Sequence, residues 1–196
     1  MDLDVIIIGS GVIGAAMGFE LSKAGFKTLN IDRNHDAGTG STSASCAIIR
    51  VHYSTLDGSA LAYEGYFDWK NWKDYLGVED DHGIAKFVEC GCLVMETEQN
   101  EFLKKHKSIC STLNIPFEEW DSRIIKKKLP LYNQESFAPA KRIDQDGFGE
   151  TNGSSINSGV FFPTGGYVTD PQLSAHNLRS AAEAKGGVFK FNSEVV

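Results

Sequence analysis

Gly9-Ser10-Gly11-Val12-Ile13-Gly14, followed about 20 residues later by Asp32, carry the clearest chemical message in the chain. Gly9 permits a tight turn, Gly11 lets backbone approach a pyrophosphate with no Cβ in the way, and Gly14 lets a helix pack closely on a sheet. A helix starting near Val12 aims its free N–H groups, those of Val12 and Ile13 among them, and its positive dipole end at phosphates. Asp32 stands where a carboxylate accepts both hydroxyls of an adenosine ribose and repels a 2′-phosphate, which disfavours NADP. NAD and FAD are equally compatible with these residues.

The elements that must position them are legible on either side. Asp4-Val5-Ile6-Ile7-Ile8 is an apolar β-branched strand, and an Ala-rich segment of helical spacing runs to Gly25. Phe26 to Ile31 is a second apolar run ending on Asp32. Strand, glycines, helix and terminal acid in register make one βαβ unit, which favours a dinucleotide site over a purely structural glycine turn.

The totals restrict the alternatives. The 196 residues hold 41% hydrophobic and 23% charged side chains, as in ordinary globular proteins. A net charge of −7 argues against general attraction to nucleic acid or anionic membranes. The longest apolar run, Val5 to Ile8, is too short to span a bilayer, and Asp2 and Asp4 stand where a signal peptide would be basic. A cytoplasmic location is expected. Cys46, Cys90, Cys92 and Cys110 have no metal-ligand rhythm, and no metal is expected. Cys90 and Cys92 fall in Lys86 to Met95, which reads as one strand with both thiols on one face, either a redox or metal-binding pair or, as the favoured reading, buried free thiols.

Further along, Gly38 to Arg50 is a hydroxyl-rich loop leading into Ala47-Ile48-Ile49-Arg50, suited to wrapping a phosphate or polyol chain, or else a solvated linker. Gly58 to Leu76 reads as a packed helix carrying Leu61, Phe67, Trp69, Trp72 and Tyr75. A second helix opens at Thr97 or Glu98, carries Phe102, Leu103, Ile109, Cys110 and Leu113, and stops at Asn114-Ile115-Pro116. Lys126-Lys127-Lys128 reads as a solvated helix face, and Asp144 to Ser158 as a long loop, a lid or a surface excursion. Asp170-Pro171 is a paired helix start, with Leu173, Leu178, Ala181, Ala182 and Ala184 facing the core and Gly186-Gly187 ending it. Val188 to Val196 alternates as a strand and stops without the next crossover, so the chain is expected to be the N-terminal portion of a longer protein.

Taken together, Gly9-x-Gly11-x-x-Gly14, Asp32-Arg33, Gly40-Ser41-Thr42, Ile48-Ile49-Arg50-x-x-Tyr53 and Gly165-Gly166-Tyr167-Val168-Thr169-Asp170-Pro171 resemble the N-terminal part of the FAD-dependent D-amino-acid oxidase superfamily. The sarcosine oxidase, dimethylglycine dehydrogenase and glycine oxidase branch is the nearest likeness. Both ends of the chain carry the resemblance, and the middle matches in outline. It implies an α/β fold: a Rossmann-type FAD-binding domain with a parallel central sheet, formed by 1–82 and 163–196, into which part of an α+β substrate domain, 83–162, is inserted.

The resemblance also implies roles. Gly9, Ser10, Gly11 and Gly14 would meet the pyrophosphate of FAD, Asp32 the ribose, and Arg33 the region beside the adenine. Ser41, Thr42, Ser45 and Ala47 would line the ribityl and isoalloxazine side, and Val195 would touch the adenine through its backbone. Arg50 would face a substrate carboxylate, for which a guanidinium fork is well shaped, with Tyr53 beside it; a salt bridge at a sheet edge is the structural alternative. His52 reads as packed or surface-lying rather than as a base.

The implied activity is oxidation of the CH–NH bond of a glycine-like or N-methylated amino acid or amine by hydride transfer to flavin. A hydroxy acid or polyol phosphate substrate, or a non-catalytic FAD-binding subunit, are the other readings. The electron acceptor, whether oxygen, quinone or flavoprotein, is open. Ala47 departs from the basic residue that monomeric sarcosine oxidases carry just before Ile-Ile-Arg, which leaves a dehydrogenase reaction open. The flavin-side lysine and any covalent flavin cysteine would lie beyond Val196.

Overall fold

The computed structural model describes residues 2–97 and 100–196. Along the chain run β1 (Val5–Ile8), α1 (Val12–Lys23), β2 (Thr28–Ile31), β3 (Ile48–Ile49), α2 (Leu56–Lys70), α3 (Trp72–Leu76), β4 (Phe87–Val88) and β5 (Cys92–Met95). They are followed by α4 (Phe102–Thr112), β6 (Glu118–Asp121), α5 (Ser122–Lys128), β7 (Ser158–Phe162), β8 (Gly166–Val168), α6 (Pro171–Ala184) and β9 (Val188–Lys190). Two compact units result: one from the stretch ending at Ile49 with Glu64–Cys90 and Gly166–Val196, the other from Arg50–Tyr63 and Gly91–Gly165.

In the first unit, β1, β2 and β9 form a parallel sheet in the order β1-β2-β9, as the βαβ pattern requires. Helix α1 packs along α6, and their shared core holds Ala15, Phe19, Trp72, Leu76, Val168, Leu178, Ala181 and Ala182. Phe19, fully buried and edge-on to Tyr75 at 5.3 Å, supplies about 2–3 kcal/mol of the burial that holds α1 down. Helix α6 starts as expected: Asp170 Oδ1 accepts the Leu173 N–H at 2.9 Å, and Pro171 occupies the first turn. A second, antiparallel sheet, ordered β3-β8-β4, lies in the same unit.

The second unit is built on an antiparallel sheet ordered β5-β7-β6. Leu103 and Cys110 of α4, Ile125 of α5, and Val160 and Phe162 of β7 are buried in it, and Trp120 stacks on Phe161 at 4.3 Å. Lys126, Lys127 and Lys128 are solvated at the end of α5, as expected.

Several elements differ from their sequence pattern. The single helix over Gly58 to Leu76 is two, α2 and α3, interrupted at Asn71, whose side-chain amide donates back to the Phe67 carbonyl at 2.9 Å. That break serves the core: Trp69, Trp72 and Tyr75 stack in succession, while Leu61 and Phe67 face solvent. The strand over Lys86 to Met95 is likewise two, β4 and β5, in different sheets. The chain bends at Gly91, whose φ is +78°, so Cys90 and Cys92 do not share a strand face.

Of the expected helix starts, Glu98 lies outside the described residues, and the helix itself runs from Phe102. It ends as expected, with Asn114 at φ +54°. The long loop stops short of Ser158, which already belongs to β7. Ala184 is exposed rather than buried, since it lies in the final turn of α6. The terminal strand is only Val188–Lys190; Asn192 at φ +52° turns the chain out of the sheet. Strand β1 is apolar on both faces, yet only Ile7 is buried, and Ile6 and Ile8 are exposed.

Candidate functional site

Strand β1 delivers the glycine turn. Gly9 adopts φ +104°, a conformation L side chains rarely reach, with open space where a Cβ would project. At Gly14 a Cβ would sit 2.1 Å from the Gly9 carbonyl oxygen, so α1 can rise this close to the turn only without a side chain there. The Gly9 N–H donates to the Ile31 carbonyl at 2.8 Å, which keeps β1 and β2 paired up to the turn.

Asp32, one residue past β2, is fastened to that turn. Its Oδ2 accepts the Ser10 N–H at 2.6 Å and its Oδ1 accepts the Asn34 N–H at 2.8 Å. Each carboxylate oxygen keeps lone-pair capacity for a further donor, as two ribose hydroxyls require. Ser10 is fully buried, and its hydroxyl is without a hydrogen-bond partner. Val12, at the start of α1, donates its N–H to Thr42 Oγ1 at 3.0 Å, and the Gly38 N–H donates to the Ser10 carbonyl at 2.9 Å. These two bonds bring the hydroxyl-rich loop to the helix N-terminus.

Val195 reaches the same place by strand pairing. Strand β9 runs parallel to β2, the Asp32 N–H donates to the Lys190 carbonyl at 2.9 Å, and the Ser193 N–H returns to the Asp32 carbonyl at 3.0 Å. A cavity of about 330 Å³ is the outcome, lined by Gly9, Asp32, Arg33, Asn34, Glu194 and Val195 among others. Gly9, Asp32, Arg33 and Val195 thus line one cavity. Thr42 is buried beside the turn, with its Oγ1 3.1 Å from where a Gly11 Cβ would lie. Ser41 and Ser45 are exposed, Ile13 is 75% exposed, and none of the three lines the cavity. Ala47 is held at φ +50°, with its N–H on Ser45 Oγ and its carbonyl accepting the Val168 N–H at 3.0 Å.

Asn30 was not among the expected site residues. Fully buried on β2, it donates through Nδ2 to the Gly14 carbonyl at 2.8 Å and tethers the first turn of α1 to the sheet. An amide inside the otherwise apolar Thr28-Leu29-Asn30-Ile31 run was the available signal.

Arg50 and Tyr53 belong to the second unit. The Arg50 guanidinium lies over the Tyr53 ring, 4.7 Å from its centre, and the Tyr53 N–H donates to Ser59 Oγ at 3.0 Å. Arg50 is exposed, so a guanidinium edge remains open to an anion. His52 is buried and stacked on Phe162 at 4.0 Å, with His106 5.8 Å away. Burial first, then the charges of Arg50 and His106, push the His52 pKa down to about 4. The packed reading of His52 is therefore the correct one. A larger cavity of about 950 Å³ in this unit, lined by residues such as Phe137, Lys141 and Asn152, contains none of the expected site residues.

Residues 4–196 match the family model described as FAD dependent oxidoreductase. N-methyl-L-tryptophan oxidase of Yersinia pestis (strain Pestoides F) is 29% identical over 199 aligned residues, which take in 100% of this chain and 46% of the relative. The chain thus spans about half the length of the curated relatives it matches. Among solved structures, L-proline dehydrogenase from P. horikoshii superposes with a TM-score of 0.78 at 19% identity, covering 100% of this chain and 45% of that one. Glycine oxidase from Geobacillus kaustophilus does so with a TM-score of 0.74 at 22% identity, over 98% of this chain and 47% of that one. The structural likenesses establish the α/β fold with its parallel sheet. FAD is the family's cofactor, and the open turn at Gly9, the unpartnered Ser10 hydroxyl and the doubly anchored Asp32 fit its ADP half.

Proposed function

The chain belongs to the FAD dependent oxidoreductase family, and from that premise we propose that it oxidises the CH–NH bond of a glycine-like or N-methylated amino acid. The observation that carries the cofactor side is the cavity that gathers Gly9, Asp32, Arg33 and Val195 beside the N-terminus of α1. Gly9, Ser10, Gly11, Val12 and Gly14, with the N–H group of Ile13, hold the pyrophosphate, while the Val12 N–H stays on Thr42 Oγ1. Asp32 holds the ribose, while Arg33 and the Val195 backbone hold the adenine. Ser41, Thr42, Ser45 and Ala47 line the flavin side. In this reading 1–82 and 163–196, Arg50 and Tyr53 apart, serve the cofactor and 83–162 the substrate. When bound, flavin supplies the hydride acceptor, and the protein orients the substrate carbon against it.

Arg50 binds the α-carboxylate, and Tyr53 keeps the guanidinium in place by lying under it. Two relatives named for N-methyl-L-tryptophan and glycine oxidation support a substrate with an amine next to the reacting carbon. A cytoplasmic location belongs to this reading; no helix among the described residues is long and apolar enough to cross a membrane.

The test is a flavin titration of the purified protein followed by a substrate screen with oxygen and with an artificial electron acceptor. Sarcosine, glycine and N-methyl-L-tryptophan should be turned over, and the acceptor used decides between oxidase and dehydrogenase. Flavin binding with turnover of hydroxy acids alone would replace the amine reading. Absence of flavin binding would overturn the whole.

A further inference from the structure

We propose that Asp80, His82 and His176 form a binding site for a divalent transition cation of the Zn²⁺ class. Asp80 and His82 lie in the loop between α3 and β4, and His176 lies on α6, all in the first unit. The site is independent of the flavin reading.

The spacing of the donor atoms favours a cation over direct pairing. Asp80 Oδ1 is 3.4 Å from His82 Nδ1 and 3.6 Å from His176 Nε2, and the three donor atoms lie within 4.8 Å of one another. A direct N–H···O bond would be about 2.7–3.2 Å long. Ligands about 2.0–2.1 Å from a tetrahedral Zn²⁺ stand about 3.3 Å apart. The two imidazole rings, 4.4 Å between centres and inclined at 57°, converge on the carboxylate from different directions. Two imidazole nitrogens and one carboxylate oxygen are a donor set for Zn²⁺, Co²⁺ or Ni²⁺ rather than for Mg²⁺ or Ca²⁺.

The surroundings hold these ligands in place. The Asp80 side chain is 2% exposed, its Oδ2 accepts the Asn177 amide at 2.9 Å, and its Oδ1 accepts the His82 N–H at 2.9 Å. Behind His176, Asp36 Oδ2 stands 3.9 Å from Nδ1, and the other oxygen of that carboxylate, Oδ1, accepts from Arg179 at 2.8 Å. The His82 side chain is 70% exposed, giving an entry path and room for a water as fourth ligand. A bound cation would pin the loop before β4 to α6, beside the contacts Asn177 already makes to Gly83 and Ala85.

Co²⁺ titration of the chelator-stripped protein tests this, read by visible d–d absorption with circular dichroism to monitor the fold. The expected result is one Co²⁺ per chain, displaced by Zn²⁺, with binding weakened at least about tenfold in His82→Ala and in His176→Ala. His35→Ala, an exposed histidine elsewhere, should bind as the parent does. Because His82 is largely solvent-exposed, His82→Ala keeps the fold and decides the matter if His176→Ala does not fold. Absence of a Co²⁺ band, an unchanged band in His82→Ala, or a near-ultraviolet thiolate band would each overturn the assignment.

Discussion

The Ser10 N–H donates to Asp32 Oδ2 at 2.6 Å, so the acid after β2 and the glycine turn after β1 are one mechanical piece. Under the proposed function Asp32 has two tasks, holding the turn, which its bonds to Ser10 and Asn34 do, and meeting a ribose. Asp32→Ala strips both Ser10 and Asn34 of their acceptor and should cost about 1–3 kcal/mol in urea unfolding, with flavin affinity reduced as well. Asp32→Asn keeps an acceptor for only one of the two N–H groups, so it should restore part of the stability while leaving flavin binding weaker than in the parent. Equal flavin affinity in all three proteins would remove Asp32 from the cofactor site.

Two glycine-to-alanine changes should act in opposite directions. Gly14→Ala places a methyl 2.1 Å from the Gly9 carbonyl oxygen, a backbone atom that cannot swing away, and should destabilise by about 3 kcal/mol or more or prevent folding. Gly65→Ala lies inside α2 with nothing within 4 Å of the new methyl, and should stabilise by about 1 kcal/mol through helix propensity. Thermal melts of the two variants beside the parent check both signs.

Stability should fall on the acid side because of His52. Above pH 6.5 its imidazole is neutral in both the folded and the unfolded chain. As pH drops from 6.5 towards about 4, the unfolded chain takes up a proton that the buried ring refuses, so folding weakens. The loss attributable to this ring approaches about 3 kcal/mol and is complete below its folded pKa. His52→Phe, which keeps the stack on Phe162, should flatten that part of the pH–stability curve; an unchanged slope would assign the loss to other groups.

On the proposed carboxylate-binding role of Arg50, Arg50→Lys should raise KM for carboxylate substrates by about tenfold with little change in kcat, because an ammonium cannot make a two-pronged contact. Tyr53→Leu removes the ring beneath the guanidinium and should give a smaller change in the same direction. Steady-state kinetics with a carboxylate and a non-carboxylate amine separates this from a general loss of activity.

The parts legible in the sequence were those set by short-range periodicity and steric demand. The βαβ unit, the glycine turn and the Asp170-Pro171 helix start each depend on residues within a turn or two of one another. Tertiary structure decided the rest, since a strand's partner and a helix break are fixed by long-range pairing and burial that no local period records. Parallel pairing of β9 with β2 carries Val195 to Asp32. Core packing splits the aromatic helix at Asn71, and separate sheets claim the two halves of the Lys86 to Met95 run. Asp80, His82 and His176, without metal-ligand spacing in the chain, meet only because α6 folds back over the loop before β4.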